Sequence, residues 1–383
     1  MSKIINIETK EQSAVCRQLS FSVTRTELSN ILSKISGVVE RRNVIDILAC
    51  INIKAQHGKI DLMATDLDIS MFASLSADIS TEGEVKVSAH TLHDIVKKLP
   101  ADLNINFEVN DQGKLLISCG NANFSLPNII ASNFPDFEED DYEHDFTLLN
   151  TDLVDLLVKT KFAVSLDDTR YNLNGVYVHT DEHFLYCVAT DGHRLSCIKK
   201  PRPKGINGRL SVIVPRKTVT ELLKILDENS EVNIKLSERK FKFTCGRYVL
   251  ISKLIDGTFP DYKAVIPAFQ DKHMIIESKK LSDVIDRVSV VVSDKVKSIK
   301  FSLQEKKLIL YSNSQECSDA TESIDVDYNN LPIEIGFNSR YLLDFLSCIK
   351  NKCKFSFIDN NSATKITDED DPDALYIVMP MRT

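Results

Sequence analysis

The string ATDGHRLS at residues 189–196 sets a carboxylate, Asp191, two positions from an imidazole, His193. Such a pair is the raw material of an acid–base couple or of two metal ligands. A working centre also needs a nucleophile, an oriented base or further ligands in reach, and no HExxH, GxSxG or clustered Asp/Glu/His set accompanies it. The string ATDLDIS at 64–70 repeats the frame without the histidine, which reads as a strand–turn–strand element. A metal-dependent hydrolase centred on Asp191 and His193 is therefore the alternative reading. His90 and His93, at i and i+3 of a predicted helix, read as surface residues, and the acidic runs EEDD and DEDDPD as solvated loops. Nine cysteines with no CxxC pair suggest neither a zinc site nor a disulfide framework, and scattered thiols fit a reducing cytosol. With 12 Gly and neither GxGxxG nor GxxxxGK[ST], a glycine-built nucleotide cradle is not expected; no cofactor and no catalysed reaction are predicted.

The elements that would carry any site come in repeats. A chain of 383 residues suits two or three domains of about 100–200 residues. Leu28 in TELSNILSKI recurs as Leu153 in TDLVDLLVKT and Leu281 in KKLSDVIDRV, steps of 125 and 128, and each string has the apolar spacing of an amphipathic helix. A second helix follows in each repeat: TLHDIVKKL at 91–99, TVTELLKIL at 218–226 and YLLDFLSCI at 341–349. Alternating runs between and after them, such as VIDILACINIKA, KIDLMATDLDISMFASL and ANFSL, read as antiparallel strands. Thr65-Asp66, Cys119-Gly120 and Phe134-Pro135-Asp136 recur at offsets of 125 or 126, while the third copy rests on helix spacing. The expected fold class is α+β, with three similar domains of two helices on antiparallel sheets. Boundaries are expected at 19–143, 144–270 and 271–383, after an N-terminal extension at 1–18. The segment 134–146, with seven acids and a proline, reads as an exposed connector.

The formal charge of −8 argues against bulk attraction to nucleic acid, yet the six predicted helices together carry +6, leaving −14 for strands and loops. Two chains joined head to tail would bring twelve such helices to one closed surface. At ~9 Å spacing they make a circumference of ~110 Å and a diameter of roughly 35 Å, wide enough for a hydrated duplex. Weak phosphate contacts inside and an acidic exterior would hold DNA while letting it slide. The ending ALYIVMPMRT places methionines beside a proline where chain ends are usually polar, a pattern suited to a pocket for several apolar peptides. The N-terminus has no apolar leader segment and no window approaches a membrane span, so a cytoplasmic protein with no membrane partner is expected.

Three strings in this order, RYNLNG at 170–175, ATDGHRL at 189–195 with VPRK at 214–217, and YIVMPMR at 376–382, resemble the bacterial DNA polymerase III beta subunit family, the replication sliding clamps. FPDY at 259–262 and IGFN at 335–338 agree with it, and the resemblance covers about 19–383. It implies a DNA clamp fold, a head-to-tail homodimeric ring on double-stranded DNA and a non-enzymatic processivity factor, opened by a clamp loader that itself binds ATP. It also implies that the replicative polymerase catalytic subunit and other partners insert a short clamp-binding peptide into an apolar pocket. By position, that pocket takes Leu173, Gly175, Thr190, Gly192, His193, Arg194 and Leu195 from one region. Pro260, Val265, Asn338 and Tyr341 join them, with Ile377, Met379, Pro380, Met381 and Arg382 from the tail. DNA contacts implied are Arg42, Arg170 and Tyr171, with Lys97, Lys98, Arg216, Lys217 and Lys224 as helix cations. The dimer contact implied pairs Phe124 and Leu126 with Val290, Val291 and Val292 of a second chain. Asn172, Ala264 and Thr383 depart from the family pattern at positions that bear on partner preference.

Overall fold

Among the described residues, six α-helices form where the apolar spacing places them. Leu28, Ile31, Leu32 and Ile35 are buried on α1 (Arg25–Ile35), and Leu153, Leu156, Leu157 and Thr160 on α3 (Asn150–Lys161), with α2 (Ala89–Lys98) between them in the chain. Leu281, Val284, Ile285 and Val288 repeat the pattern on α5 (Ser278–Val288), after α4 (Arg216–Ile225) and before α6 (Ser339–Leu346). Each such Leu or Ile taken out of water contributes about 1.5–3 kcal/mol, which fixes the face the helix turns inward. Helix α2 ends at Lys98 because Leu99 precedes Pro100 and takes an extended conformation, ψ 154°. Helix α6 starts at the Asn338 side chain, which accepts from the N–H of Arg340 (3.0 Å) and Tyr341 (3.4 Å).

The computed structural model describes residues 19–41, 45–129, 134–135, 140–226, 231–268, 270–292, 297–313 and 318–381. Arg42, Arg382, Thr383 and the extension 1–18 lie outside the described residues. The chain divides into two compact units, Met1–Glu138 with Arg247–Leu250, and Glu139–Gly246 with Ile251–Thr383. In the first, α1 packs on α2, and antiparallel strands run in the order 78–81, 20–24, 104–109, 115–119, 122–126 and, separately, 69–76, 59–65, 50–56, 83–88. One expectation differs here: VIDILACINIKA is not extended throughout, because Asp46–Ala49 forms a 3₁₀ turn that buries Ile47 and Leu48 before the strand Cys50–Gln56 begins.

The second unit holds two helix pairs, α3 on α4 and α5 on α6. They share one eight-stranded antiparallel sheet, ordered 211–215, 175–180, 184–190, 194–201, 374–378, 364–368, 352–357, 272–277. Its middle is the pairing of Arg194–Pro201 with Ala374–Val378, in register Arg194 to Val378 and Leu195 to Ile377. The second and third sequence repeats are thus joined by a continuous ladder of backbone hydrogen bonds. Four further strands, 319–325, 307–313, 298–304 and 333–338, complete the third repeat.

Candidate peptide pocket and helix cations

The join between the paired strands is where the predicted pocket residues meet. Leu173, Leu195 and Ile377 are buried in one cluster with Val188, Ile213, Phe259 and Tyr262. Pro260 follows Phe259 in the chain, and Val265 ends the 3₁₀ turn Tyr262–Val265 and is 52% exposed. Beyond Val378 the chain leaves the strand, yet its backbone stays tied. The Met379 N–H donates to the His193 carbonyl (2.8 Å), and the Met381 N–H to the Gly336 carbonyl (2.8 Å). Met379 is held in place with its side chain 41% exposed. A fixed, exposed methionine and valine beside a buried apolar floor make a surface that can accept another apolar side chain.

The turn at 190–194 carries four of the predicted pocket residues, Thr190, Gly192, His193 and Arg194. Gly192 lies at φ +90°, a region that favours glycine, and a Cβ there would stand 2.9 Å from Arg170 Nη1. The Thr190 hydroxyl accepts from the Gly192 N–H (3.1 Å) and donates to the Arg194 carbonyl (2.7 Å). Asp191 Oδ1 accepts from the N–H groups of His193 (2.9 Å) and Arg194 (3.0 Å), while Oδ2 pairs with Arg194 Nε (3.0 Å). Both Asp191 oxygens are therefore spent on shaping the turn. The hydrolase alternative has no support: among the described residues no three His, Cys, Asp or Glu side chains converge as a metal-ligand group, and His193 is exposed. Gly175 is buried, and its missing Cβ leaves room for the Val214 carbonyl, which a Cβ would meet at 2.4 Å.

Arg194 links this turn to the third repeat. Its guanidinium pairs with Asp344 (2.5 Å), donates to the Phe162 carbonyl and lies over the rings of Tyr341 (4.3 Å) and Phe162 (5.4 Å). Lys159 bridges Asp155 (2.6 Å) and Asp371 (2.5 Å), and Lys199 reaches Asp373 (3.3 Å). Burial raises the Asp155 pKa, but hydrogen bonds from Lys159 and Lys200 outweigh it and hold the carboxyl below its ordinary value. Asp344, Phe162 and Asp371 were not among the predicted residues. Asp344 lies 150 positions from Arg194 and Asp371 212 from Lys159, so no local pattern announces the pairs.

Three finished family models cover the chain: the N-terminal domain of the DNA polymerase III beta subunit at 19–138, its central domain at 147–261 and its C-terminal domain at 263–382. The chain belongs to the DNA polymerase III beta subunit family. The beta sliding clamp of Caulobacter vibrioides strain NA1000 is 38% identical over 372 residues, covering 95% of this chain and 100% of the relative. That of Pseudomonas aeruginosa is 35% identical, with 95% and 100% covered. A crystal structure of the Bartonella birtlesii sliding clamp bound to griselimycin superposes with TM-score 0.92 at 37% identity, covering 96% of this chain and 100% of that one. The fold is the α+β clamp fold, and this sliding clamp is a non-catalytic processivity factor of DNA replication.

The residues expected to meet DNA fall into different settings in this clamp. Tyr171 is 58% exposed. Arg170 pairs with Asp167 (3.0 Å) and donates to the Asp191 carbonyl (3.0 Å), so it also braces the pocket turn. Lys97 and Lys98 are exposed in the last turn of α2, where cations suit the helix dipole. Arg216 and Lys217 stand in the first turn of α4, where the dipole disfavours them. Lys224 is paired with the buried carboxylate of Glu221 at 2.7 Å, which neutralises part of its charge. Phe124 is 38% exposed and Leu126 8%, on a strand that ends its sheet; Val290 is 80% exposed just after α5, with Val291 and Val292 half-buried.

Proposed function

We propose that two copies of this clamp close head to tail into a ring around double-stranded DNA, opened by a clamp loader, in the cytoplasm. Three repeat domains at 19–143, 144–270 and 271–383 would supply the six helices each chain contributes to the inner face. The family models support three successive domains, the junction of the second and third falling at 261–263 in them rather than at 270–271. The observation that carries the ring is the state of the sheet edges. Strand Ala122–Leu126 has its middle three residues exposed, and strand Asp319–Asp325 also ends its sheet. Open edges invite pairing, and exposed Phe124 and Val290 add apolar surface to such a contact. Arg216, placed against its own helix dipole, fits a contact with phosphate better than a contribution to helix stability. Phe124→Asp or Val291→Asp should shift the chain to monomers in sedimentation equilibrium; persistence of the dimer at micromolar concentration would refute the interface.

The pocket is proposed to take a short apolar peptide from the polymerase catalytic subunit and from other partners. Exposed Met379 and Val265 beside the buried floor of Leu173, Leu195 and Ile377 support this. That a member of the family, the Bartonella birtlesii clamp, binds the ligand griselimycin agrees with a ligand-accepting surface on this fold. Thr190, Gly192, His193, Asn338 and Tyr341 would form the polar rim, since the turn and the α6 cap hold them there.

A further inference from the structure

We propose that a second cleft, beside the peptide pocket, takes an acidic stretch of the same partner polypeptide whose apolar anchor occupies that pocket; this rests on the pocket reading above. The cleft has a volume of about 660 Å³ and opens over the strand Gly175–Thr180 and the loop at 258–263. Pro260, assigned to the pocket, also lines the cleft, as do Tyr262 and Lys263 of the turn Tyr262–Val265. Phe259 and Tyr262 on the cleft side pack in the same buried cluster as Leu173, Leu195 and Ile377 under the pocket. Pro260 is thus common to the proposed pocket and the cleft.

Cations and carboxylates both line the cleft, and they differ in how far their own surroundings engage them. Asp181 is consumed by its own loop, accepting from the N–H groups of His183 and Phe184 (both 2.8 Å) and from the Tyr186 hydroxyl (2.6 Å). Asp261 accepts from the Lys263 N–H at 3.2 Å, and Arg202 donates to the carbonyls of Asp181, Ile206 and Gly208. Arg209 and Lys263 are exposed and form no ion pair among the described residues. Both act on His179: burial first, then Lys263 and Arg209, push its imidazole down to about 4, so the buried ring stays neutral between them. The floor is rigid, since Phe259, Tyr177, His179 and Tyr186 stack in a column with centroids 4.7–4.8 Å apart. Two unspent cations over a fixed aromatic floor suit discrete carboxylates.

The test uses the full chain and fluorescein-labelled peptides with a common leucine- and phenylalanine-containing core. Each carries four glutamates or four glutamines at one end, and both orders are made. At low salt the glutamate peptide in one order should bind about five- to tenfold tighter than its glutamine twin, an advantage that shrinks as salt rises. The double substitution Arg209→Ala/Lys263→Ala should erase that advantage and leave the glutamine peptide's Kd unchanged. Equal affinities in both orders, or an advantage that survives the double substitution, overturn the proposal. So does displacement of the glutamate arm by single-stranded oligothymidylate as effectively as by free glutamate peptide. Deleting Met379–Thr383 judges the pocket separately: a glutamine peptide that still binds as before sinks the pocket reading, while the glutamate advantage continues to judge the cleft.

Discussion

Replacing Arg194 by methionine keeps the length of the side-chain stem and removes its charged fork. The change deletes the pairs to Asp191 (3.0 Å) and Asp344 (2.5 Å), the hydrogen bond to the Phe162 carbonyl and the contact over the Tyr341 ring. A charge-assisted hydrogen bond contributes about 1.5–3 kcal/mol, and a carboxylate left without its partner in a buried site costs more. Here the Asp344 side chain is 31% exposed and Asp191 keeps two backbone donors, so water and the turn recover part of the loss. The expected destabilisation of the second unit is roughly 2–4 kcal/mol, and at about 2–4 °C per kcal/mol for a unit of this size its melting transition should fall by roughly 4–16 °C. Calorimetry reads this directly. A cycle with Asp344→Asn should return a coupling of about 1–2 kcal/mol, because the two side chains share one interaction. The reasoning fails if Arg194→Met lowers the transition by less than about 2 °C or if the two substitutions add independently.

Deleting Met379–Thr383 should lower affinity for an apolar clamp-binding peptide by tenfold or more, about 1.4 kcal/mol, while sedimentation still shows the dimer; unchanged peptide binding would remove the tail from the pocket. His179 gives a pH signature. Its folded pKa, depressed to about 4 by burial with Lys263 and Arg209 adding to it, lies below the ordinary value near 6.5. The neutral ring's contribution is present above pH ~6.5 and is lost as pH falls from there toward 4. His179→Gln should flatten the stability profile across that window, and an unchanged slope would mean that other groups set it.

The helices were legible because each needs only a local stripe: Leu28, Ile31, Leu32 and Ile35 stand within eight residues and are all buried. The 3₁₀ turn Asp46–Ala49 was not, since its alternating apolar residues fit a strand equally well until Ile47 and Leu48 are seen to bury together. The tail was marked as unusual by its methionines, but what anchors it, the His193 and Gly336 carbonyls, is backbone and leaves no trace in residue type. Repeat counting treated the second and third copies as separate bodies. The ladder from Arg194–Ile198 to Ala374–Val378 joins them across 180 residues, a pairing that no local periodicity encodes. The aromatic column was within reach, since Tyr177 and His179 alternate onto one sheet face and Tyr186 is the cross-strand partner of His179, whereas Phe259 enters only through tertiary packing.

Topological retention on DNA separates cleanly from ordinary phosphate affinity. Clamps loaded onto nicked circular DNA at a salt concentration that abolishes simple electrostatic binding should stay bound through gel filtration, then leave within minutes once a single restriction cut supplies free ends. Loss at the same rate before and after the cut would contradict the account.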